Sequence, residues 1–212
     1  HRPVYFVTGR PQGLGKYRNR STGVSSIAGK FASAFALGAM VFSDSDPGYA
    51  RRLKAKALEA WEFALSEPGY TQTACNVSPY FYEESNFVDD LELAATQLFR
   101  LTGDRGYLEA GAGWGRKEPV SPWMEKGEAR HYQYYPFVNL GHYFLAREGD
   151  REFATFYRQG LEYLLERGEA DPFRYGLPFI WCSNNLAAAA LTQSRLYAEV
   201  TGSDRFAPME AA

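Results

Sequence analysis

The 212-residue sequence predicts an all-α fold, a toroid of helical hairpins. Three observations carry that reading. Apolar residues recur at helical spacing in seven separate segments, small and apolar segments alternate with amphipathic ones, and one kind of turn returns four times. The length suits a single domain with one sizeable core.

In chain order, Thr22 to Phe42 sets Ile27, Phe31, Ala34, Phe35, Gly38 and Met40 at helical spacing with small residues between them, which predicts an inner helix capped by Ser21 or Thr22. Pro47 to Leu65 opens with proline in its first turn, after Ser45 and Asp46. Leu53, Ala57, Ala60, Trp61 and Ala64 make its apolar stripe and Lys54, Lys56 and Glu59 its wet face, so it belongs outside. Asn86 to Leu101 is Ala-rich and inner, and Asp104 to about Ala112 is outer. Pro136 to Arg147 is aromatic and inner, Asp150 to Arg167 is amphipathic and outer, and Ser183 to Thr201 is again small and inner. The closing "RFAPMEAA" reads as the opening of a further helix.

The recurring turn is "FSDSDPGYARR", "LTGDRGYLEA", "REGDREFATF" and "VTGSDRFAPM". In each, an acidic N-cap starts a helix whose first-turn aromatic packs back on the previous one. Tyr49, Tyr107, Phe153 and Phe206 recur at intervals of about 50 residues, the scale of one helical hairpin with its loop. Loops from inner to outer helices are short. The return loops, Glu67 to Ser85, Arg116 to Tyr135 and Gly168 to Cys182, are long and rich in aromatics, and in a ring of hairpins they gather at one end to build a concave face.

Composition narrows what that face binds. Lys and Arg total 23 against 25 Asp and Glu, a net charge of -2 without a basic stripe, which argues against nucleic acid and against a polybasic membrane contact. No run of eighteen apolar residues suggests a membrane span. Aromatics make up 16% of the chain, more than a core requires, and favour a polar but uncharged ligand. Cys75 and Cys182 are too few for a disulfide framework and leave one long-range bridge or two thiols as alternatives.

Three loop clusters hold the candidate binding residues. Tyr80, Phe81, Tyr82, Glu83 and Glu84 lie just ahead of a helix, with Ser85 or Asn86 as its cap. Rings of this kind stack on the CH faces of a sugar while carboxylates accept its hydroxyl hydrogens, and the two glutamates belong on a partly solvated rim because unpaired buried carboxylates are costly. The plainer reading is a packed loop whose acids favour the helix dipole. His131, Tyr132, Gln133 and Tyr134 repeat the chemistry in the second loop, where a lone histidine is more often structural than catalytic. Phe179, Trp181 and Asn184 repeat it in the third. Ser85, Asp89 and Asp90 present hard oxygens at a helix start, a set suited to calcium. "GLGK" at Gly13 to Lys16 lacks the first glycine, the Ser or Thr and the preceding strand of a phosphate loop. No Ser or Cys nucleophile arrangement is recognisable.

"RPVYFV" before a small-residue helix, "DDLELAATQLFRLTGDRGYLEA" and "RYGLPFIWCSNNLAAAALTQSRLYAEVTG" together resemble glycoside hydrolase family 9, the inverting endoglucanases, over nearly the whole chain. The resemblance implies an (α/α)6 barrel and hydrolysis of β-1,4-glucan or a related β-glycoside. It implies no required cofactor beyond possible structural calcium, and slightly favours secretion or a periplasmic location. The family's D-A-G-D motif and its C-terminal Glu, sources of base and acid, are not in this sequence. Residues 1–212 therefore read as the central part of one α/α-barrel catalytic domain, incomplete in this chain, with no catalytic residue of its own and with the remaining segments of the polypeptide as its partners. By position, the family's sugar-binding rings fall on Phe81 and its neighbours, with Glu84 in place of a tryptophan. Its calcium ligands fall on Ser85, Asp89 and Asp90, while a further Asp falls near Tyr135. The alternatives are a sugar-binding or interaction protein of the α/α-toroid type without chemistry, and another α/α-barrel enzyme such as an epimerase.

Overall fold

Seven α-helices and no β-strand occur among the described residues: α1 (Ser25–Val41), α2 (Pro47–Ser66), α3 (Val88–Thr102), α4 (Arg105–Gly115), α5 (Leu140–Arg147), α6 (Arg151–Glu169) and α7 (Ser183–Thr201). The computed structural model describes residues 8–73, 84–125, 137–180 and 183–210. Every predicted helix is present. The "RFAPMEAA" segment forms a 3-10 turn, Ala207–Glu210, and a second short turn spans Gly15–Tyr17.

The helix starts follow from local chemistry. Asp46 caps α2 by accepting the Tyr49 N–H at 2.8 Å, with Pro47 in the first turn. Asn139 caps α5 through the His142 N–H, and Asp150 caps α6 through the Glu152 N–H. α3 ends at Gly103, whose φ of 73° takes the left-handed conformation that glycine adopts without strain. Each turn aromatic packs edge-on against an earlier element: Tyr49 on Phe42, Phe153 on His142 and Phe206 on Tyr197. Tyr107 reaches back further, to Trp61 of α2.

The chain divides into two compact units, residues 1–114 and residues 115–212. In the first, α1 packs against both α2 and α3 around Ala28, Ala32, Ala36, Ala57, Trp61, Ala64, Leu91, Ala94, Ala95 and Leu98. Small side chains let these helices approach to backbone distance, so the buried face of α1 is its serine, alanine and glycine face. That corrects the apolar stripe expected from the sequence. Phe31 is half exposed, stacked on Phe35, because a large ring between α1 and its neighbours would hold them apart.

α1 also lacks the side-chain cap expected of Ser21 or Thr22. Its helix begins at Ser25, and the segment after α2 supplies acceptors instead: Glu67 O takes the Val24 N–H at 2.9 Å and Gly69 O the Ser26 N–H at 3.3 Å. The contact is intimate, since a Cβ built on Gly23 would lie 2.4 Å from Glu67 O and 2.5 Å from the Gly69 Cα. The strap continues with Thr71 Oγ1 donating to Gly23 O and the Gln72 N–H to Ser21 Oγ.

In the second unit, α5, α6 and α7 surround Trp123, Met124, Tyr143, Tyr157, Leu161, Leu164, Leu186 and Tyr197. His142, 1% exposed, pairs its Nε2 with Pro119 O at 3.0 Å and packs on Phe153, a structural role. A chiefly apolar cavity of about 290 Å³ opens between α6, α7 and the turn at Ala207–Glu210, walled by Leu164, Leu177, Ala190 and Met209.

Candidate functional site

Gly29 sets the geometry of the most charged place in the first unit. A Cβ there would meet Asp90 O at 3.0 Å, so the absence of a side chain lets α1 cross α3 at that level and puts the next residue, Lys30, beside the α3 acids. Lys30 is the lone charged residue of α1. Its Nζ donates to Asp90 Oδ2 at 2.7 Å, to Glu84 Oε1 at 2.5 Å and to Ser26 O at 3.3 Å. The side chains of Asp90 and Glu84 are 1% and 6% exposed, that of Lys30 32%.

The strap after α2 orders this cluster. Ser26 accepts the Thr71 N–H at 2.8 Å and donates its hydroxyl hydrogen to the Glu84 carboxylate. Gln72 Nε2 donates to Glu84 O at 3.2 Å. Asn86 Oδ1 accepts the Phe87 and Val88 N–H groups just ahead of α3, whose N-cap position is Phe87 and whose start has no side-chain cap, while Ser85 is exposed. Asp89, half-buried, accepts the Asp90 N–H at 3.0 Å, and Asp90 Oδ1 is buried without a hydrogen-bond partner.

Burial works against the charge of Lys30, but Asp90, then Glu84 and Asp89, outweigh it and hold its proton above the ordinary lysine range. Burial pushes the Glu84 and Asp90 carboxyls up against the pull of Lys30. It pushes Asp89 up to about 7, with Lys30 opposing and Glu84 adding. Lys30 thus stays charged, while burial makes the enclosed acids hold a proton more tightly than isolated carboxylates do.

Of the residues expected at a sugar site, Tyr80, Phe81, Tyr82, Glu83, His131, Tyr132, Gln133, Tyr134 and Trp181 lie outside the described residues, as do Cys75 and Cys182. Glu84 is not on a solvated rim. It is buried, and the Lys30 ammonium with the Ser26 hydroxyl satisfies it there, which removes the objection to burying a carboxylate. Phe179 stands 94% exposed and Asn184 is exposed in the first turn of α7, both in the second unit. The calcium set splits, Ser85 exposed and Asp90 enclosed. Lys30 was missed from the sequence, although a single lysine on a helix of small residues, in a chain with an acidic pair ahead of another inner helix, is a signal that the two meet.

The profile of glycosyl hydrolase family 9 matches residues 4–211. This chain belongs to glycosyl hydrolase family 9. Curated relatives include endoglucanase 14 of Arabidopsis thaliana, 35% identical over 105 residues, which is 48% of this chain and 21% of that protein. Endoglucanase 3 of Oryza sativa subsp. japonica is 38% identical over 90 residues, 42% and 18% of the two chains. The matched stretches thus span about a fifth of these relatives' length. Among solved structures, the thermostable endoglucanase of Alicyclobacillus acidocaldarius superposes with a TM-score of 0.67 at 19% identity, over 87% of this chain and 36% of that one. The endoglucanase of the termite Nasutitermes takasagoensis gives 0.60 at 20%, over 92% and 45%. The family 9 chain therefore has the all-α, (α/α)6-barrel fold class of these enzymes.

Proposed function

We propose that this chain is the sugar-binding middle of a family 9 hydrolase that cleaves β-1,4-glucan, or a related β-glycoside, with inversion. The observation that carries the reading is the family match across residues 4–211. Inversion needs an acid and a base on opposite sides of the scissile bond with a water between them. Glu84 and Asp90 are engaged with the Lys30 ammonium, and, since the family's D-A-G-D motif and C-terminal Glu are not in this sequence, the reading assigns acid and base to other segments of the same polypeptide. Tyr80, Phe81, Tyr82, Tyr132, Tyr134, Phe179 and Trp181 supply stacking rings, and Glu83, His131, Gln133 and Asn184 supply polar contacts to sugar hydroxyls. The exposure of Phe179 supports its part, because a stacking ring must be reachable. Glu84 is left to hold the helix junction.

Among the described residues no helix is long and apolar enough to cross a membrane. The enzyme's polymeric substrate places its work outside the cytoplasm, in a secreted or periplasmic setting. The test is kinetic. In the parent polypeptide, Trp181→Ala should raise KM for soluble β-glucan while leaving the thermal midpoint nearly unchanged, and unaltered kinetics would remove Trp181 from the site. A sugar-binding protein without chemistry is the second reading, favoured by the engagement of Glu84 and Asp90 with Lys30. A parent polypeptide that binds the glucan without ever releasing reducing ends would decide for it.

A further inference from the structure

Family membership implies calcium at Ser85, Asp89 and Asp90, and the geometry around α1 and α3 disagrees. Calcium takes roughly six to eight oxygens and keeps them turned toward the ion. Here Asp90 Oδ2 and Glu84 Oε1 are turned toward Lys30 Nζ, and Ser26 O takes the third N–H of the ammonium. Asp89 Oδ1 accepts the Asp90 N–H, and Ser85 is exposed while Asp90 is enclosed. One buried cluster oxygen, Asp90 Oδ1, is without a hydrogen-bond partner among the described residues. Those residues also contain no group of three or more His, Cys, Asp and Glu side chains arranged to hold a metal.

We infer that the Lys30 ammonium is the resident cation of this cluster, standing where a calcium ion would bind, and that the chain takes up no calcium there. The ammonium is built in rather than incidental. Gly29 admits the α1–α3 approach that delivers it, Ser26 and Gln72 hold Glu84 against it, and a divalent ion among the same oxygens would have to sit beside a fixed positive charge. The lysine makes the junction between α1 and α3 independent of metal supply.

The experiment compares the parent polypeptide with its Lys30→Gln variant, first in excess EDTA and then in millimolar calcium, by thermal midpoint and by terbium luminescence excited through nearby aromatics. The wild-type midpoint should be the same in both solutions, with no saturable terbium signal that Asp90→Asn abolishes. Lys30→Gln should be less stable in EDTA and recover in calcium, gaining a terbium signal that Asp90→Asn removes. A wild-type midpoint that rises with calcium, together with terbium binding lost in Asp90→Asn, would overturn the inference. So would a folded Lys30→Gln chain indifferent to calcium, since the ammonium would then not stand at a cation position. Should Lys30→Gln fail to fold in either solution, the wild-type terbium titration decides alone.

Discussion

Lys30 and Asp90, sixty residues apart in sequence, meet at 2.7 Å where α1 crosses α3, with one oxygen of the aspartate on the ammonium and the other enclosed without a partner. Removing the lysine leaves Glu84 and Asp90 buried beside each other with no counter-charge. Lys30→Met should destabilise the first unit by about 2–3 kcal/mol at pH 8, below the full value for a buried pair because the ammonium is partly solvated. The loss should shrink toward pH 5 as the acids take up protons. Chemical denaturation at the two pH values checks this, and a double-mutant cycle with Asp90→Asn should show coupling between the two sites.

The acid cluster also gives the pH dependence a sign. Asp89 is pushed up to about 7 by burial, above an unfolded value of about 3.9, so the native chain holds that proton more tightly than the unfolded one. Its contribution to stability is complete below about pH 4 and is lost as the pH rises through about 7. The groups facing it are Lys30, Glu84 and Glu92, with the Asp90 backbone. The proton of Lys30 is held more tightly than in the unfolded chain, so its contribution persists through this window and fades only at strongly alkaline pH. Thermal midpoints measured from pH 4 to pH 7 should fall, and Asp89→Asn should flatten the slope.

Much of this architecture is legible in the sequence, and the exceptions have one origin. Pro47 after Asp46, Asp104 after Gly103 and Asp150 after Gly149 mark helix boundaries through local chemistry, so all seven helices could be placed from their own residues. The buried face of α1 could not, because a count of large apolar residues points to Phe31 and Phe35 while the packing selects Ala28, Gly29, Ala32 and Ala36. Glu84 was misplaced for a related reason. Its environment is set by Lys30 and Ser26, more than fifty residues earlier, and no local pattern reports such a partner. The cap of α1 comes from the backbone of the strap after α2, equally invisible to a search for Ser or Thr.

Gly29 is predicted to be intolerant of even one methyl group. A Cβ at 3.0–3.1 Å from Asp90 O and C would push α3 away from α1, and overpacking of this kind costs roughly 1–3 kcal/mol. Gly29→Ala should lower the unfolding midpoint despite alanine's better helix propensity. A midpoint equal to or above wild type would show that the crossing is looser than described.

Asn86 is expected to fix the backbone that enters α3. Its Oδ1 takes the Phe87 N–H at 2.8 Å and the Val88 N–H at 3.2 Å, so Asn86→Ala should cost about 1 kcal/mol. An Asn86→Ala chain as stable as wild type by denaturant titration would remove that role from Asn86.

The hydrolase reading is tested most directly by watching which anomer the parent polypeptide releases first from a soluble β-1,4-glucan, using proton NMR in the opening minutes before mutarotation. The α-anomer should appear first, as single displacement by water requires. Initial release of the β-anomer, or no new reducing ends at all, would contradict it.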